Sequence, residues 1–143
     1  MTVSSVEDVH AIQELNARYN FAVDETDGPA WADCFTATGV FNALLPGQTP
    51  TGTEELLGFM PIVTEAFGRM HHLTTNEIIT VNGNEATQKC YLLFFSAKDG
   101  RTEGTICEYN DALEKTDSGW KYSRRDVTAH TKIADFTAVA ENV

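Results

Sequence analysis

The chain is short of positive charge: 10 Lys and Arg stand against 21 Asp and Glu, a formal net charge of −11 over 143 residues. Nucleic acid is held by clustered cations that displace counterions, so a nucleic-acid partner is not expected, and an anionic membrane surface is disfavoured for the same reason. Long apolar runs are also missing. Nothing approaches the roughly 20 consecutive apolar residues that cross a bilayer. Residues 1–8 hold neither a basic stretch nor an apolar one, so no secretory signal is read there, and a cytoplasmic location is the expectation. Cysteine is scarce. Cys34, Cys90 and Cys107 form no Cys-x-x-Cys pair and cannot all pair with one another. Cys90 and Cys107 lie in apolar strand-like runs and read as buried small hydrophobes. His10, His71, His72 and His130 show no recognised ligand spacing, so neither a metal nor a cofactor is expected.

What is present fits one domain over residues 1–143, with a core at about 6–130 and a tail at 131–143. Hydrophobic residues make up 42% and charged residues 22%, the balance of an ordinary globular chain. A first helix starts near Ser4 or Ser5, and Ser4 followed three residues later by Glu7 fits a capping box. Val6, Val9, Ile12, Leu15, Tyr19 and Val23 then recur at helical spacing, and Gly28-Pro29 ends the helix. A second short helix is predicted over 29–35, a turn over 36–39 and a short strand over 40–43. A third helix is predicted over about 54–67, capped by Thr51 or Thr53 and kinked or split at Pro61. Four strands follow at 71–81, 86–97, 105–115 and 120–130, linked by the hairpin signals Asn82-Gly83-Asn84, Lys98-Asp99-Gly100 and Asp117-Ser118-Gly119. The tail from 132 reads as a short helix or as disorder. Helices first and strands later indicate an α+β fold. Its form is a cone-shaped α+β barrel, with helices packed on a strongly curved antiparallel or mixed sheet. The interior of such a cone suits a small-molecule ligand.

The richest stretch is Met70-His71-His72-Leu73-Thr74-Thr75-Asn76. Histidine titrates near neutral pH, and a strand can hold it rigidly in a pocket. Alternation sends His71 and His72 to opposite faces, and a one-residue register change swaps them. The order of elements resembles the SnoaL-like branch of the nuclear transport factor 2-like superfamily. The residues that carry this are Ile12-Gln13-Glu14-Leu15-Asn16-Ala17-Arg18-Tyr19, Val23-Asp24, Trp31-Ala32-Asp33-Cys34-Phe35, Gly52-Thr53-Glu54-Glu55-Leu56, the histidine stretch and Gly119-Trp120-Lys121-Tyr122-Ser123-Arg124-Arg125.

The resemblance implies an Asp–His pair of the kind found in scytalone dehydratase and hexachlorocyclohexane dehydrochlorinase. The matching residues are Asp24 and His72, with His71 as the alternative ring. Such a pair removes a proton beside a carbonyl or leaving group. The implied activity is a cofactor-independent lyase or isomerase acting on a small apolar or cyclic molecule. A non-catalytic binding or dimerisation domain and a dioxygenase small subunit are the alternatives. Self-association as a homodimer or homotrimer is also implied. Arg125 matches a dehydrochlorinase arginine and would bind a leaving group or carboxylate, although a surface charge on an alternating strand explains it equally. Tyr19 stands where the dehydrochlorinase has lysine, and either offers its hydroxyl to a ligand or packs. Trp31, Phe59, Met60 and Tyr109 are the expected pocket lining. Phe35, Phe41, Phe67, Tyr91, Phe94 and Phe95 are expected in the core.

Overall fold

The computed structural model describes residues 5–135. Helix α1 (Val6–Asp24) starts at Ser5, whose hydroxyl accepts the Asp8 N–H at 3.0 Å and donates to the Asp8 carboxylate at 2.6 Å. The cap is therefore one residue later than the Ser4–Glu7 box, and Ser4 lies outside the described residues. Ile12, Leu15, Tyr19 and Val23 are buried along one stripe, together with Asn16 and Asn20. Val6 is exposed and does not belong to it. Helix α2 (Gly28–Asp33) is capped by the Asp27 carboxylate, which accepts the Ala30 N–H at 3.0 Å.

Phe35, expected in that helix, instead opens strand β1 (Phe35–Asn42). The turn expected over 36–39 is an irregularity within β1, whose pairing is interrupted between Phe35 and Val40. Helix α3 (Gly52–Phe67) begins at Thr51, whose side chain makes no cap bond; the Glu55 carboxylate accepts the Thr51 N–H instead, at 2.7 Å. Pro61 does not split this helix. It sits on the exposed face near exposed Leu57, where water can satisfy the carbonyl that loses its donor.

Gly68 turns α3 directly into strand β2 (Arg69–Asn82) at φ 69°. A Cβ there would lie 2.5 Å from the Ala97 carbonyl oxygen, so a side chain is excluded. Strands β3 (Glu85–Lys98), β4 (Arg101–Thr116) and β5 (Gly119–Asp135) continue as antiparallel hairpins. β1 pairs in parallel with β5, giving the order β1-β5-β4-β3-β2. The result is an open, mixed five-strand sheet carrying three helices. Residues 132–135, expected in the tail, extend β5. The tail beyond them lies outside the described residues. No helix among the described residues is long and apolar enough to cross a membrane.

Two bulges decide which side chains face the helices. In β2 the pairing skips between Thr75 and Ile78, with Asn76 at φ 59°. Met70, His72 and Thr74 turn toward the helices before it, and Ile79 and Val81 after it. In β5 the pairing shifts between Tyr122 and Arg124, so Tyr122 and Arg125 are both buried although three positions apart. Tyr91 alternates with buried Cys90 and Leu92, so it lies exposed on the outer face rather than in the core. Cys34, Cys90 and Cys107 are buried, and burial pushes their thiols up to about 11, about 12 and about 11.

Inside lies a charged network. Arg125 Nε and Nη2 each donate to Asp111 at 2.8 Å, and both side chains are fully buried. Gln88 donates to Asp111 at 2.7 Å and to Asn16 at 3.0 Å, and the Tyr122 hydroxyl donates to Asn16 at 2.5 Å. The guanidinium carbon lies 3.7, 4.0 and 4.5 Å from the ring centroids of Tyr109, Tyr122 and Tyr19. Burial works against this charge, but Asp111 and the neighbouring phenols more than offset it and hold Arg125 protonated.

Removing one member of such a pair leaves an uncompensated buried charge. Arg125→Leu or Asp111→Leu alone is expected to cost ~3–5 kcal/mol in denaturant unfolding, and the double variant less than the sum. Near the helix start, Asp8 accepts from Trp120 Nε1 and Lys115 Nζ, both at 2.9 Å, tying α1 to the β4–β5 hairpin. With the Ser5 hydroxyl, these bonds lower the Asp8 carboxyl from 3.8 to about 2. A depressed carboxyl stabilises the fold above its unfolded value and loses that contribution as pH falls through its folded value. Asp8→Asn should therefore lower the melting temperature at neutral pH, and the gap to wild type should close between pH 3.8 and about 2.

Candidate active site

Asp24 is the last residue of α1, and His72 lies near the start of β2. β2 is an edge strand, so its outer side is open to α1. One Asp24 oxygen, Oδ2, accepts the His72 backbone N–H at 3.0 Å. The other, Oδ1, lies 2.6 Å from His72 Nδ1. A carboxylate at a helix C-terminus is disfavoured by the helix dipole; here the strand supplies two donors to it. An ionised carboxylate only accepts, so Nδ1 is the ring nitrogen that donates to Asp24. The two side chains are 16% and 9% exposed, which sets the pair at a boundary between core and solvent. The Phe94 ring packs against the imidazole at 4.8 Å.

His72 is part of the wall of a cavity of about 520 Å³, a figure that includes its open mouth. Tyr19, Trp31, Phe59, Met60 and Tyr109, all expected at the pocket, line it. So do Leu44 and Leu45, which follow β1, and Met70, Leu92 and Phe94 from the sheet. The visible signal for the leucines was two adjacent large apolar residues before Pro46-Gly47, where a plain surface turn would be polar. The wall is mostly carbon. Its polar side chains are His72, Trp31 and the two tyrosines. Burial raises the hydroxyl pKa of Tyr19, against the opposing Arg125 charge, and raises that of Tyr109 further, so both stay protonated at neutral pH.

Two expected site residues lie elsewhere. His71 is exposed on the opposite face of β2, as strand alternation requires once His72 faces inward. Arg125 is not in the cavity wall. The bulge in β5 turns it inward, but its charge is spent on Asp111 behind Tyr19 and Tyr109. The surface-charge alternative fails as well, because Arg125 is fully buried. Asn16, Gln88 and Asp111, which hold that charge, carried no readable signal: each is a common polar residue on an ordinary periodic element.

The profile of the SnoaL-like domain family matches residues 4–126. A search of curated proteins returns no match. A candidate aromatic ring hydroxylase from Novosphingobium aromaticivorans is a similar solved structure, at 28% identity over 93% of this chain and 96% of that one, with a TM-score of 0.83. A Mycobacterium tuberculosis protein of unknown function is also 28% identical, over 90% of this chain and 80% of its own, with a TM-score of 0.81. A hexachlorocyclohexane dehydrochlorinase from Novosphingobium barchaimii shares the fold at 18% identity, over 89% of each chain, with a TM-score of 0.79. The family match spans most of the chain and includes both Asp24 and His72: the protein belongs to the SnoaL-like domain family.

Proposed function

We propose that this protein is a cofactor-independent lyase or isomerase acting on a small, mostly apolar cyclic molecule, with His72 as the general base and Asp24 as the group that orients it. The observation that carries this reading is the 2.6 Å contact between Asp24 and a histidine in the wall of an apolar cavity. Nε2 takes a proton from a carbon beside an electron-withdrawing group. The electron pair left behind moves toward that group or expels a leaving group. The imidazolium, stabilised by Asp24, then returns its proton to another carbon or to the departing group. An apolar surround strengthens the coupling of imidazolium and carboxylate.

The test is hydrogen–deuterium exchange, followed by NMR in deuterium oxide, on ring ketones, lactones and halogenated rings. His72→Gln should slow exchange or elimination by about 10²–10⁴-fold, and Asp24→Asn should also slow it. Undiminished exchange in His72→Gln would remove the base. The resemblance to the candidate ring hydroxylase supports a second reading, a hydroxylase subunit, in which no variant at His72 affects proton exchange.

We also infer a homodimer or homotrimer. Leu73 and Tyr91, 52% and 43% exposed, stand on the outer face of the sheet, where large apolar side chains favour association. Sedimentation equilibrium should give two or three chains per particle, and a monomer would discard the idea.

A further inference from the structure

The cavity wall is built from regular elements at all but one place. Among the residues that line it, only Ala43, Leu44 and Leu45 lie outside helices and strands. They open the connection of residues 43–51 between β1 and α3. All three are half-buried, whereas Trp31, Phe59, Met70 and Leu92 in the same wall are buried. The other half-buried wall residues, Phe67, His72 and Val127, each stand on a helix or strand. The two leucines therefore belong to the rim of the cavity, and theirs is the part of the rim that no helix or sheet fixes.

The connection is bonded to itself. The Phe41 N–H donates to the Pro50 carbonyl at 3.1 Å and Val40 pairs with Thr51, which closes its root. Beyond the root, the Gln48 N–H donates to the Leu45 carbonyl at 3.0 Å across Pro46-Gly47, with Gly47 at φ 75°. Pro followed by a left-handed Gly is the residue pattern of a type II turn. The Ala43 N–H donates to the Gln48 carbonyl at 3.2 Å. Both bonds lie within residues 43–48, and among the described residues no hydrogen bond ties these to another part of the chain. A Cβ at Gly47 would meet nothing within 4 Å, so the tip stands clear. Such a flap can rotate about its root with its own bonds intact. What resists the rotation is the packing of Leu44 and Leu45 against the core.

We propose that ligands enter the cavity beneath this flap, with Leu44 and Leu45 as the gate that sets how fast a ligand reaches His72. A leucine lifted from the wall is replaced there by the apolar ring of the ligand, so passage exchanges one hydrophobic contact for another. A charged molecule has no such compensation and is held back. The inference requires that the cavity take a ligand, as in the function proposed above, but not that His72 act on it.

The experiment follows tetralin binding to the full chain by stopped-flow tryptophan fluorescence, Trp31 being part of the wall. A closed gate slows arrival and departure alike. The double variant Leu44→Ala, Leu45→Ala should therefore raise both rate constants about ten-fold and change Kd by less than about three-fold. Leucines that only contact the ligand would raise the dissociation rate alone, and that result would overturn the proposal. So would equal acceleration of both rates in Phe67→Ala, which opens the rim at the end of α3, or failure of tetralin to bind. In wild-type protein, methyl relaxation dispersion should show microsecond-to-millisecond exchange at Leu44 and Leu45 and none at Met70 or Leu92. Leucines as still as the sheet would overturn the proposal even if the double variant failed to fold. Deuterium exchange of ring ketones is scored separately: gated tetralin binding without exchange removes the base and leaves the gate, whereas exchange with ungated binding does the reverse.

Discussion

The Arg125–Asp111 pair joins β4 to β5, and through Gln88 and Asn16 it draws in β3 and α1. Four elements thus share one buried polar cluster, and α1 carries Asp24. A helix held only by Ile12, Leu15 and Val23 could slide by a turn with little change in apolar burial. A helix whose Asn16 must meet Gln88 and the Tyr122 hydroxyl cannot. Directional bonds fix axial position where hydrophobic contact does not. The distance between Asp24 and His72 follows from that position.

The same cluster gives the cavity its chemical character. A guanidinium beneath three phenols would be costly without a counter-charge, and Asp111 supplies it out of reach of any ligand. The charge stays behind the wall, and the surface that a ligand meets is rings and methylenes. Tyr19 and Tyr109 separate the two regions, touching the cation on one side and the cavity on the other.

Much of this was legible in the sequence, and for identifiable reasons. The helical stripe of α1, the hairpin turns and the strand runs are local patterns, so element order and the α+β class could be read directly. Asp24 and His72 were found through their motif contexts, and the structure brings their side chains together. Arg125 was found and its placement was missed. Its orientation depends on the shifted pairing after Tyr122, and a bulge leaves little trace in a periodicity argument. Asn16, Gln88 and Asp111 were invisible because their partners lie on other elements: the Asn16–Gln88 bond spans 72 positions. Pro61 does not split α3, because it sits on the exposed face, and which face a residue occupies is a tertiary fact.

The position of β2 at the end of the sheet has a consequence beyond the imidazole. An unpaired strand margin offers its amides to any passing chain, a known route to strand addition and fibril growth. Here α1 lies along that margin. Asp24 occupies the His72 amide, and Asn20 reaches the Thr74 hydroxyl two residues on. The carboxylate that holds the His72 ring is thereby also a stopper on a sticky seam, so losing Asp24 would release the imidazole and bare the strand margin together.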